Sequence, residues 1–134
     1  MLRWLFKLAR TPAVGYLVGL VFAHFSFIIP TKRLRETSSL VAFYHPQPSY
    51  PIHILIVAKK QCRDLAALTE TDADFMADLI TVTNSLVAEL GLEPAGYRLI
   101  NNGGTYQDVK HLHFHLISGT DTPTHSAQGK LAAS

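Results

Sequence analysis

The sequence predicts an α+β domain: one long helix packed on an antiparallel sheet of about five strands, preceded by an apolar N-terminal helix. Three observations predict it. Apolar residues recur at helical spacing over 72–90, short β-branched runs bounded by proline and glycine lie on either side, and Lys110–Ile117 alternates histidine with bulky apolar residues. A chain of 134 residues holds one such domain, and 48% apolar with 16% charged residues is a globular composition. The single cysteine, Cys62, excludes an internal disulfide and any multi-cysteine zinc site.

Residues 1–24 read as a basic, apolar leader. Before Glu36 there is no acid, and Arg3, Lys7, Arg10, Lys32, Arg33 and Arg35 give that segment +6; from Glu36 onward ten acids face six bases, giving −4. Basicity confined to an apolar leader points to a membrane rather than to nucleic acid. Ala13–Ile29 carries no formal charge and is at the short edge of what spans a bilayer. The leader therefore reads as a membrane anchor or a membrane-lying helix, with the membrane contact over 1–30. A cleaved secretory signal ending at Ala23 and a buried helix packed on the domain are the alternatives. The matching locations are membrane-associated with the domain on the cytoplasmic side, or secreted or periplasmic after cleavage.

The body, 25–119, follows. Leu40–Tyr44 reads as a strand, the His-Pro-Gln-Pro-Ser-Tyr-Pro stretch 45–51 as a turn, and Ile52–Ala58 as a more buried strand paired antiparallel with the first. Thr71-Asp72-Ala73-Asp74 carries a capping-box-like start with acids suited to the positive helix end. Phe75, Leu79, Val82, Leu86 and Leu90, with Met76, Ile80 and Val87 alongside, form the apolar stripe, and Gly91 stops the helix. Gly96–Asn101 is a third strand, ending at the Asn-Asn-Gly-Gly turn and pairing as a hairpin with the histidine strand. The tail 120–134, rich in Thr, Ser and Ala, reads as loose.

Strand alternation puts His111, His113 and His115 on one face and Leu112, Phe114 and Leu116 on the other. Spacing alone allows a zinc site completed by a ligand from elsewhere, or imidazoles that attack phosphorus. It also allows a solvated histidine-rich strand.

His111-Leu112-His113-Phe114-His115-Leu116-Ile117 resembles the signature of the histidine triad (HIT) superfamily, most nearly its Hint branch. Ile29-Pro30, Val41-Ala42-Phe43, Pro51–Val57 with Lys59-Lys60, Gly96-Tyr97-Arg98 and Asn102 occur in the family's order, so the likeness spans roughly 25–119. The resemblance implies that His113 attacks the α-phosphorus and forms a nucleotidyl-histidine, while His111 and His115 bind phosphate oxygens and orient it. His53 would assist near the scissile group, and Asn102 would hold the phosphate. Phe43, His45, Gln107 and Asp108 fall at substrate-binding positions. No cofactor and no metal are implied; the partners are a nucleotide substrate and a second copy of the chain, docked through the 72–90 helix. Two departures stand out. Tyr106-Gln107-Asp108 replaces the usual Gly-Gln-hydroxyl or Gly-Gln-Glu in a loop about two residues short, and His45 stands where the ribose-holding residue is commonly Asp.

The sequence thus points to a hydrolase or nucleotidyl transferase acting on nucleotide phosphoramidates or phosphoanhydrides. A non-catalytic nucleotide-binding or interaction module at a membrane is the alternative, and a metal-binding histidine strand the third. Cys62 reads as a bystander thiol, Lys59 and Lys60 as a solvated face, and Arg98 as either an ion pair or a phosphate contact.

Overall fold

Period-two alternation in the β-branched runs builds the sheet that dominates the computed structural model, which describes residues 32–120. The strands are β1 (Arg33–Glu36), β2 (Leu40–Tyr44), β3 (Ile52–Ala58), β4 (Arg98–Ile100) and β5 (His113–Ser118). They lie in the order β1-β2-β3-β5-β4, every neighbouring pair antiparallel. The expected leader and residues 121–134 of the expected tail lie outside the described residues. Among the described residues no helix is long and apolar enough to cross a membrane.

One helix, α1 (Ala73–Leu90), covers one face. Its stripe of Phe75, Leu79, Val82, Leu86 and Val87 packs on Leu40, Ala42, Ile54, Ile56, Phe114 and Leu116. Truncating a fully buried leucine such as Leu86 would cost about 2–5 kcal/mol. Met76 and Ile80, read with the stripe, are instead exposed, at 36% and 58%. On the helix's other flank Asp78 accepts from the Thr37 and Ser39 hydroxyls (2.7 and 2.6 Å), and Arg35 reaches Ser85 and Glu89. The Arg35 contacts tie α1 to the strand at the sheet edge, β1, and the Asp78 contacts tie it to the residues between β1 and β2. The short polar sequence of β1, R-L-R-E, hid it from pattern reading.

Both ends of α1 are set by local chemistry. The capping box sits two residues before the expected one: Thr69 and Asp72 bond each other's backbone across a short 3₁₀ turn that runs into the helix. At the far end Gly91 takes φ 61°, its N–H reaching the Ala88 carbonyl while the Leu92 N–H reaches Val87. That 6→1 and 5→2 pair closes the last turn and buries Leu92 as its apolar contact.

Strand parity leaves the other face to Val41, Phe43, His53, Leu55, Val57, His113, His115 and Ile117. Val41, Phe43, Leu55 and Val57 form a second buried cluster there.

Candidate active site

Strand pairing assembles the histidines. His113 lies opposite Val57 and His115 opposite Leu55, while His53 lies opposite Ile117 on the adjoining strand. One strand further, Phe43 pairs with Leu55. Phe43, Leu55 and Val57 are 1–3% exposed, so buried apolar side chains flank the imidazoles on the same sheet face.

His113 is the most informative ring. Its Nδ1 lies 2.7 Å from the His111 carbonyl, which accepts only, so Nδ1 carries the hydrogen and donates. The lone pair of the neutral ring is then on Nε2, which no hydrogen bond uses among the described residues. Desolvation lowers the pKa of His113, keeping the ring neutral near pH 7, and the nearby Asp108 charge works in the opposite direction.

His111 departs from the expectation of three imidazoles on one strand face. β5 begins at His113; His111 precedes it, is 1% exposed, and its Nε2 donates to the Ala58 carbonyl at 2.6 Å. The side chain is therefore committed to the fold at that nitrogen, and its backbone carbonyl is what holds His113. The adjacent Leu112 is bonded on both sides, by its carbonyl to Ala58 N–H and by its N–H to Cys62. Burial again lowers the His111 pKa.

A second line of rings runs the other way. The Ser49 N–H donates to His53 Nδ1 (3.0 Å), and His53 Nε2 lies 2.9 Å from His115 Nδ1. Since Nδ1 of His53 accepts, its hydrogen is on Nε2 and is donated to His115. His115 in turn carries its hydrogen on Nε2. Desolvation, then the neighbouring His113, His53 and His45, hold its pKa well below the usual imidazole value. His45 packs against His53 with centroids 4.3 Å apart and lies 6.1 Å from His115, and its Nδ1 accepts from the Gln47 N–H.

Nitrogens of His45, His53 and His115 lie within 4.8 Å of one another, a spacing that a metal ion would fit. The hydrogen bonds oppose one. Metal-bound imidazole usually donates its second N–H to an acceptor, whereas His45 and His53 each receive a backbone N–H on Nδ1. Binding through Nε2 would require both rings as imidazolate.

The remaining expected residues divide. Gln107 is buried and its amide donates to the Arg63 carbonyl at 2.6 Å, making it a loop brace. Lys110, which pattern reading passed over, donates to the Gly104 and Gln107 carbonyls (3.1 and 2.8 Å) and braces the same loop. Asp108 is exposed beside His113. At the loop's start Asn101, the neighbour of Asn102, donates through its amide to the His113 carbonyl (3.0 Å). Its place directly after the last residue of β4 is the signal that would have selected it. Cys62 is buried on the α1 side with a raised pKa, due chiefly to desolvation, and stays an uncharged thiol.

Comparison with known proteins places the chain in a family and agrees with the fold. The HIT domain model matches residues 26–122. A HIT-like protein of Helicobacter pylori is 32% identical over 93 residues, 68% of this chain and 86% of that one. A histidine triad protein from Clostridium difficile superposes with a TM-score of 0.68 at 31% identity, over 80% of this chain and 92% of that one. A HIT family hydrolase from Legionella pneumophila gives a TM-score of 0.67 at 29% identity, over 75% and 91%.

Proposed function

The chain belongs to the HIT domain family, and on that premise we propose that it is a nucleotide hydrolase or nucleotidyl transferase acting on phosphoramidates or phosphoanhydrides. The observation that carries the reading is the tautomer of His113. With Nδ1–H held by the His111 carbonyl, Nε2 offers its lone pair on the face shared with His115.

In the proposed reaction His113 Nε2 attacks the α-phosphorus, and the bond to the leaving group breaks, a phosphate departing as the anion and an amine departing with a proton taken from solvent. A nucleotidyl-histidine results, and water then cleaves the P–N bond to release the nucleoside monophosphate and the free ring. His115, with Nε2–H outward, would donate to a phosphoryl oxygen as charge develops. His53 holds His115, and Asn101 holds the backbone of His113. Because these groups are fixed before substrate arrives, little reorganisation accompanies the step. The test is hydrolysis of an adenosine 5′-phosphoramidate: wild type should turn it over and His113→Ala should not. Full activity in His113→Ala would overturn the mechanism.

One observation favours a second reading. Asp108 places a carboxylate beside His113 where an anionic substrate would approach, which suits a module that binds nucleotide weakly or without turnover. Saturable nucleoside monophosphate binding with no turnover over a panel of phosphoramidates and dinucleotides would select it. Tethering through residues 1–30 and pairing with a second copy through α1 are further proposals. They rest on the leader's charge pattern and on the exposed Met76 and Ile80. Membrane fractionation and sedimentation of the full chain test them.

A further inference from the structure

We infer that the proline-bounded turn between β2 and β3 (residues 45–51) is a tautomer lock, with the Ser49 backbone N–H as the positioning group that fixes His115 through His53.

A neutral imidazole exchanges its hydrogen between two nitrogens, and only hydrogen-bond partners decide which form prevails. In this chain the decision begins outside the rings. Ser49 N–H is a donor with no alternative polarity, so His53 Nδ1 must hold a lone pair. His53 Nε2 must then hold the hydrogen and give it to His115 Nδ1, 2.9 Å away. His115 is left as an Nε2–H donor. The polarity set at one amide is thus carried through two side chains to the ring beside the nucleophile, His113–His115 centroids being 5.0 Å apart.

The same turn acts twice. Gln47 N–H donates to His45 Nδ1, and that ring packs on His53 at 4.3 Å, so a second ring of fixed polarity backs the first. Pro46, Pro48 and Pro51 restrict the backbone that aims both amides. Prolines at 46 and 48, having no N–H, alternate with the two donors to the rings, Gln47 and Ser49. Ser49 contributes its main chain to this contact, which separates it from a side-chain role.

The consequence is a change of ligand class for this corner of the site. An Nε2–H donor on His115 suits an anionic oxygen, and the cluster it belongs to disfavours a cation. That the oxygen is a phosphoryl oxygen rests on the proposed function; the tautomers themselves do not.

Nitrogen-15 imidazole spectra of the full-length protein read the lock directly at pH 7.5. The expected pattern has hydrogen on Nε2 of His45, His53 and His115 and on Nδ1 of His113, with a coupling across the His53–His115 hydrogen bond. Hydrogen on Nδ1 of His115, or a rapidly averaged mixture, would overturn the proposal whatever the activity proves to be. Ser49→Pro deletes the donor, while Ser49→Ala keeps it. Ser49→Pro should lose the cross-ring coupling and lower kcat for the phosphoramidate by roughly tenfold or more with KM little changed, since a wrong tautomer costs mainly turnover. Ser49→Ala should match wild type in both readouts. Coupling retained in a folded Ser49→Pro protein would count against the lock, and if that variant fails to fold the wild-type spectrum decides alone. The expected spectra in a protein that turns over no phosphoramidate would uphold the lock and reject the catalytic reading.

Discussion

Replacing His111 separates a folding role from a chemical one. The imidazole is 1% exposed and donates to the Ala58 carbonyl at 2.6 Å. His111→Ala loses that hydrogen bond, worth about 0.5–1.5 kcal/mol net, and opens a cavity where the ring stood. Buried large-to-small changes of this size cost about 2–5 kcal/mol, and partial collapse around Leu112 would reduce that, so we expect about 2–4 kcal/mol in all. At about 4–8 °C per kcal/mol for a domain near 100 residues, the melting temperature should fall by at least about 8 °C. His111→Phe restores volume without the donor, and should recover part of the loss. The carbonyl of residue 111 survives both changes, so His113 keeps its tautomer. Turnover of the phosphoramidate at 15 °C, where both variants remain folded, should stay within about tenfold of wild type. Urea unfolding and the hydrolysis assay check the two halves. Unchanged stability together with lost turnover would refute the reasoning, because the His111 side chain would then be acting on the substrate.

Acid should destabilise the fold in a window set by the histidines. Burial lowers the pKa of His111, His113 and His115, so the unfolded chain binds more protons below its ordinary value near 6.5. Their contribution is fully present above about pH 6.5 and is lost as pH falls, by up to about 1.4 kcal/mol per pH unit for each ring; melting curves from pH 7.5 to 5 measure it, and a flat profile would contradict it. Asp108→Asn removes the carboxylate that raises the His113 pKa. The acid limb of the pH–rate profile should move to lower pH, and KM for an anionic substrate should fall severalfold at low salt, corresponding to about 1 kcal/mol at a surface charge. Lys110→Met frees the Gly104 and Gln107 carbonyls and loosens the loop before the histidines, so KM should rise severalfold with little change in kcat.

Much of the fold is legible in the sequence. The α1 stripe announced itself because Phe75, Leu79, Val82 and Leu86 return every three or four residues, and Gly91 could take the left-handed conformation that ends the helix. The β3 and β5 runs were equally plain, since both faces of those strands are filled. β1 was not: its four residues include three charges, and it is joined to α1 by Arg35, which reaches Ser85 and Glu89 far along the chain. Alternation correctly put His113 and His115 together. It wrongly extended the strand to His111, because where a strand starts depends on its neighbour's register, and Ala58 ends β3 at that point. Resemblance pointed to Asn102 as a phosphate holder; the amide that bonds the His113 carbonyl belongs to its neighbour, Asn101, directly after β4. The tautomers were out of reach, being decided by backbone amides at Gln47 and Ser49 that a sequence does not orient.

The central claim is that His113 Nε2 is the nucleophile. Its most direct test is to mix wild-type protein with an adenosine 5′-phosphoramidate, quench at alkaline pH within milliseconds, and map the modified peptide by mass spectrometry. The account predicts an adenylate on His113 that decays with further mixing time and is absent from His113→Ala. An adenylate on His111, His115 or any other residue, or turnover that persists in His113→Ala, would contradict it.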